Sequence, residues 1–60
     1  MFSRAEKCEA ATRELIMRRR VYPRWVKQGR MMQEKASREI ALMEAIRDDY
    51  AEPDLFGDKP

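Results

Sequence analysis

The chain has 60 residues, with 13 Lys and Arg, 11 Asp and Glu, no His, one Cys and a formal net charge of +2. A single Cys cannot form an internal disulfide, and the lack of His argues against ordinary zinc sites and His-based catalysis. No apolar run approaches the ~20 residues that a membrane-spanning helix needs. We therefore expect a small cytoplasmic protein, neither an enzyme nor membrane-bound, that uses no cofactor or metal and works by binding a partner.

The first predicted element is a helix over residues 3–22, a stretch without Gly or Pro. Ser3 is a suitable N-cap, and Glu6 follows it at the spacing of a capping box. Arg18 and Arg19 interrupt the apolar face of this helix. That face follows helical spacing through Cys8, Ala11, Leu15 and Tyr22, and it is widened by Ala5, Thr12 and Ile16.

Pro23 follows this helix, and residues 23–28 are expected to form either a kinked continuation or a separate short helix. Gly29 is a typical helix stop. A second helix is predicted over residues 32–51, and its end is expected to fray because Asp48 and Asp49 oppose the helix dipole. Its apolar face contains Met32, Ala36, Ile40, Met43 and Tyr50, joined by Leu42 and Ile46.

These elements predict an all-α fold. Two long helices, the first kinked at Pro23, form an antiparallel helical hairpin over residues 1–51, and residues 52–60 form a flexible C-terminal tail that contains two Pro and one Gly. A chain of this size buries only about 60% of the surface that its unfolded form exposes. We therefore expect the hairpin to associate with itself as a homo-oligomer or to dock on a larger partner.

Charge is distributed unevenly along the chain. Residues 13–30 carry seven basic and one acidic side chain, a net of +6, whereas residues 31–60 carry a net of −4. Arginines interleaved with Tyr and Trp are typical of nucleic-acid contacts, because cations neutralise phosphates and rings stack on bases. Alternatively, the aromatic side chains and Val26 pack between the helices, while the arginines are solvated or pair with the acidic half. The candidate nucleic-acid contacts are Arg18, Arg19, Arg20, Tyr22, Arg24, Trp25, Lys27 and Arg30.

The tail contains the sequence Glu52-Pro53-Asp54-Leu55-Phe56. Its last three positions resemble the motif with which bacterial proteins dock on the DNA-polymerase sliding clamp, usually Gln, an aliphatic residue, Ser or Asp, Leu and Phe. Glu52 and Pro53 depart from that usual form. The resemblance implies that Leu55 and Phe56 bury in an apolar pocket of the partner. Alternatively, these two side chains fold back over the open end of the hairpin.

A longer stretch, residues 20–46, is similar to small uncharacterised proteins encoded by phages and prophages of Gram-negative bacteria. The similar segments are Val-Tyr-Pro-Arg-Trp-Val at 21–26, Gln-Gly-Arg-Met at 28–31 and Glu-Ile-Ala-Leu-Met-Glu-Ala-Ile at 39–46. The resemblance implies a phage or prophage origin.

These features together predict a phage-type interaction protein in the cytoplasm of a bacterial host. Its tail would bind a host protein, with the sliding clamp as the sharpest candidate, and would thereby modulate host DNA replication. Two alternatives stay open. One is a small nucleic-acid-binding protein that uses the basic segment 18–30. The other is a helical dimer that acts as an assembly or inhibitor module.

Overall fold

The fold is a hairpin of two α-helices. A computed structural model describes residues 1–51, and the predicted tail with its motif at 52–56 lies outside the described residues. Helix α1 spans Arg4–Lys27 and helix α2 spans Gln33–Asp49. The start of α1 contacts the end of α2 through Arg4 and Asp49, so the helices run antiparallel. The described residues contain no strand, which confirms the all-α hairpin.

Helix α1 begins at the predicted capping box. The Ser3 hydroxyl accepts a hydrogen bond from the Glu6 backbone N–H at 3.0 Å, and the Glu6 carboxylate accepts one from the Ser3 backbone N–H at 2.8 Å. Each side chain therefore satisfies a backbone donor that the first helical turn leaves without a partner. The predicted start of the helix is confirmed.

Pro23 lies inside α1, and one helix runs past it to Lys27. The prediction of a separate short helix over 23–28 is therefore wrong, and the alternative of a continuation is confirmed. Pro23 has no N–H to donate to the carbonyl four residues earlier. The kink expected at this position stays a prediction.

The turn between the helices is fixed by Gly29. Its φ of 75° lies in the left-handed region that glycine adopts without a steric penalty. The Gly29 N–H donates to the Val26 carbonyl at 3.0 Å, and the Arg30 N–H donates to the Trp25 carbonyl at 2.8 Å. These two bonds form a Schellman motif, which satisfies the last carbonyls of α1 and turns the chain back.

Helix α2 is slightly shorter than predicted, because it begins after the N-cap Met32 and ends before the C-cap Tyr50. Two cationic side chains of α1, Arg4 and Lys7, lie at the C-terminal end of α2, which we expected to fray. The Arg4 guanidinium donates to the carbonyls of Asp49 and Ala51, and both Arg4 and Lys7 lie over the Tyr50 ring. These contacts supply donors and positive charge to the negative end of the α2 dipole, and so counter the effect of the two aspartates.

The core is small. Among the described residues only Ala11, Leu15 and Ala36 are buried, and Leu15 is 1% exposed. Cys8 and Tyr22 of the predicted α1 face are half-buried, and so are most of the larger side chains of the α2 face. Each helix packs against the other along a single stripe, so residues at the edges of each predicted apolar face remain exposed to solvent. The prediction of a core position is therefore wrong for Ala5, Ile16, Met32 and Leu42, which are exposed.

Candidate binding surface at the basic end of the hairpin

Arg18, a predicted nucleic-acid contact, lies between the two helices instead. Its side chain is 16% exposed, its Nε donates to the Glu14 carboxylate at 2.8 Å, and its Nη1 donates to the Glu39 carbonyl at 2.8 Å. The Glu39 carboxylate lies 3.6 Å from the same Nη1. The hydrogen bond with Glu14 raises the pKa of Arg18 above its usual range, although partial burial acts in the opposite direction. Arg18 is therefore a permanent cation that joins the helices.

Three more predicted contacts are engaged within the hairpin. Arg19 donates to the Glu44 carboxylate of α2. The rings of Tyr22 and Trp25, both half-buried, stack on each other with centroids 5.6 Å apart. The Arg19–Glu44 pair agrees with the alternative in which arginines of the basic segment pair with the acidic half. The stacking of Tyr22 on Trp25 joins two side chains of the same helix.

Three other predicted contacts face solvent. Arg20, Arg24 and Lys27 are exposed, and they form no ion pair among the described residues. Their spacing of four and three residues places them on one face of α1. The buried Leu15 lies five positions before Arg20, so this face points away from α2. Arg30, at the turn, is also exposed, and its guanidinium lies 5.2 Å from the Trp25 ring centroid.

Folding brings in two cations that sequence reasoning missed. Lys35 and Arg38 lie in the first turns of α2, are exposed, and also lack an ion pair among the described residues. Sequence reasoning overlooked them because they belong to the half of the chain whose net charge is negative. The Gly29 turn places them at the same end of the hairpin as the basic segment of α1. A charge count restricted to residues near the predicted turn would have found them.

We call residues 19–38 the basic end. This stretch carries seven basic side chains and one acidic one, a net of +6, whereas residues 1–18 and 39–51 together carry five basic and seven acidic ones, a net of −2. The hairpin is therefore strongly polarised along its long axis. Six cations of the basic end are exposed and without an ion pair among residues 1–51, namely Arg20, Arg24, Lys27, Arg30, Lys35 and Arg38.

The opposite end carries two open depressions. The larger is lined by residues of the first turns of α1 and by Tyr50, and the smaller lies beside the exposed Phe2. Neither helix is long and apolar enough to cross a membrane. No group of three metal-ligating side chains occurs within residues 1–51. The residues of the clamp-like motif, Glu52, Pro53, Asp54, Leu55 and Phe56, lie outside the described residues.

Comparison of the chain with protein-family models, with curated proteins and with solved structures finds no match.

Proposed function

We propose that this protein works by binding macromolecules, and that its basic end binds a nucleic acid through backbone phosphates. The observation that carries the proposal is the set of six exposed cations around the turn, opposed by the single carboxylate of Glu34. Cations that are free of intramolecular ion pairs bind a nucleic acid well, because each cation that neutralises a phosphate releases counterions condensed on the nucleic acid.

The arrangement of the aromatic side chains supports phosphate contact over base stacking. Tyr22 and Trp25 are half-buried, stack on each other, and lie beneath the guanidinium groups of Arg18 and Arg30 respectively. Rings in such contacts have less surface for the stacking by which proteins hold single-stranded bases. Binding would therefore be largely independent of sequence, and a duplex would bind at least as well as a single strand.

The salt dependence of binding tests this proposal quantitatively. If Arg20, Arg24 and Lys27 each neutralise one phosphate, the logarithm of the affinity falls with the logarithm of salt at a slope of about −3. Fluorescence anisotropy of a labelled duplex across a salt series measures that slope. Reversing Arg20 and Arg24 to Glu should weaken binding at least about tenfold and should flatten the slope by about two.

A matched variant separates a localised site from a general effect of net charge. Reversal of Lys7 and Arg13 to Glu changes the net charge by the same amount, but both residues lie outside the basic end. The proposal predicts that this control binds the duplex much more tightly than the variant at Arg20 and Arg24. Equal losses in the two variants, with helicity retained in both, would refute a localised site.

We propose as a second candidate function that the tail docks on a host protein, with the bacterial sliding clamp as the sharpest candidate, and so modulates host DNA replication. The supporting observation is the sequence Asp54-Leu55-Phe56, which follows closely on the last described residue. Ala51, the last described residue, accepts a hydrogen bond from Arg4 at the end of the hairpin opposite the turn. A clamp operates beside DNA, so the two functions are compatible.

Titration of the full chain against purified clamp tests this second candidate. Replacing Leu55 and Phe56 with Ala should abolish most of the affinity, because the two side chains form the proposed apolar anchor. Replacing Asp58 and Lys59 with Ala changes the tail beyond the motif and should leave the affinity nearly unchanged. A lack of binding by the native chain, or equal binding by the Leu55 and Phe56 variant, would refute it.

A further inference from the structure

One face of the hairpin carries apolar side chains that no other described residue covers. On α2, Leu42 is 49% exposed and Ile46 is half-buried. They belong to a series at alternating intervals of four and three residues, the spacing of a helix-packing seam. The full series is Lys35, Glu39, Leu42, Ile46 and Asp49.

Helix α1 extends this face. Glu14 is joined through Arg18 to Glu39, so these residues lie on the same side of the hairpin as the α2 series. Met17 and Val21 continue from Glu14 at intervals of three and four residues, and Met17 is 40% exposed. We call the surface formed by Met17, Val21, Leu42 and Ile46 the open face. The cluster of Arg18 with Glu14 and Glu39, the Arg18 cluster, lies at its centre.

We propose that the open face binds the open face of a second copy of this chain, and that the two hairpins form an antiparallel, two-fold symmetric four-helix bundle. In this arrangement α2 packs against α2 of the second copy, and Leu42 lies at the symmetry axis. Such an interface is self-complementary, since each patch meets its own counterpart. The proposal does not depend on nucleic-acid or clamp binding.

Charge complementarity identifies a second copy of the chain as the partner that covers the open face. Lys35 lies seven residues before Leu42, and Asp49 lies seven residues after it. An antiparallel pairing centred on Leu42 therefore brings Lys35 of each copy to Asp49 of the other. Both side chains are exposed, and neither forms an ion pair among the described residues. The same pairing sets each basic end, with its net of +6, beside the opposite end of the partner, with its net of −2.

The cluster at the centre of the open face tolerates being covered. Arg18 already donates to the Glu14 carboxylate and to the Glu39 carbonyl, and the Glu39 carboxylate lies nearby. A guanidinium with partners on several of its donors is a suitable polar group for an interface. By helical spacing Arg24 lies two turns after Met17, at the edge of the open face, whereas Arg20 and Lys27 lie further round α1, so dimerisation leaves those two open to a nucleic acid.

Sedimentation equilibrium of the full chain tests the proposal. The native chain should be a dimer, and Leu42→Glu should weaken dimerisation about a hundredfold or more, because it places two carboxylates near the symmetry axis. Ile16→Glu is the matched control, since Ile16 is 51% exposed on α1 and lies outside the open-face series. A native chain that is a helical monomer, or equal weakening by both variants, would overturn the proposal.

A charge exchange tests the antiparallel register independently of folding. Asp49→Lys should weaken the dimer about tenfold by opposing Lys35 with another cation. A lysine suits the C-terminal end of α2, so loss of the helix would not explain this result. Adding Lys35→Asp to Asp49→Lys should restore dimerisation. Weakening by Asp49→Lys without restoration in the double variant would overturn the proposed register.

Discussion

Replacing Arg18 with Met should destabilise the hairpin more than the same change at neighbouring Arg19. Methionine keeps much of the aliphatic length of arginine but removes its donors, so the Glu14 and Glu39 carboxylates lose their shared cation. A hydrogen bond to a charged group contributes about 1.5–3 kcal/mol when buried, whereas an exposed ion pair contributes about 0–1 kcal/mol. The Arg18 side chain is 16% exposed and its two carboxylate partners are 39% and 28% exposed. We therefore expect a loss of about 2 kcal/mol, which lowers the ratio of folded to unfolded chain about thirtyfold.

Urea denaturation followed by circular dichroism measures this loss, and all chains must be compared at one concentration because association would add to the apparent stability. Arg19→Met is the control, since it breaks the Arg19–Glu44 pair, whose side chains are 51% and 38% exposed. We expect Arg19→Met to cost about 0.5 kcal/mol. If Arg18→Met costs no more than Arg19→Met, then Arg18 does not join the helices as the structure indicates.

Two further predictions concern the backbone of the hairpin. Gly29→Ala should lower the free energy of unfolding by about 1 kcal/mol, because an Ala at a φ of 75° is strained although its Cβ would meet no neighbour within 4 Å. Gly29→Asn should cost less in the same urea titration, and equal losses would contradict an origin in backbone strain. Pro23→Ala should raise the free energy of unfolding by up to about 3 kcal/mol, since it restores an N–H donor inside α1. A lower urea midpoint for Pro23→Ala would show that the proline stabilises the native chain.

Local signals in the sequence predicted the ends of the helices well. The Ser3 and Glu6 capping box and the Gly29 turn were both confirmed, because each depends on side chains and backbone within a few residues. The sequence was less informative about Pro23. A proline inside a helical stretch permits either an ending or a continuation, and the local sequence does not decide between them.

The sequence could not predict which polar residues join the helices. Along the sequence Arg18 interrupts an apolar face, and its role depends on Glu39, which lies 21 residues away. The same holds for the basic end, where Lys35 and Arg38 join the cations of α1 only after the chain turns back. Counting charge along the chain divided it into a basic and an acidic half. The folded hairpin instead separates charge by distance from the turn.

The contact between Arg4 and the carbonyl of Asp49 joins residues 45 positions apart in the chain. Arg4 therefore joins the two helices at the end of the hairpin opposite the Gly29 turn, in addition to the links that Arg18 and Arg19 make nearer the turn. Because α1 has 24 residues with a rise of ~1.5 Å each, the Arg4 contact lies about 36 Å from the turn. A small increase in the angle between the helices at the turn therefore produces a large increase in the distance between Arg4 and Asp49. A pair of spectroscopic labels near residues 1 and 51 would report opening of the whole protein as one distance.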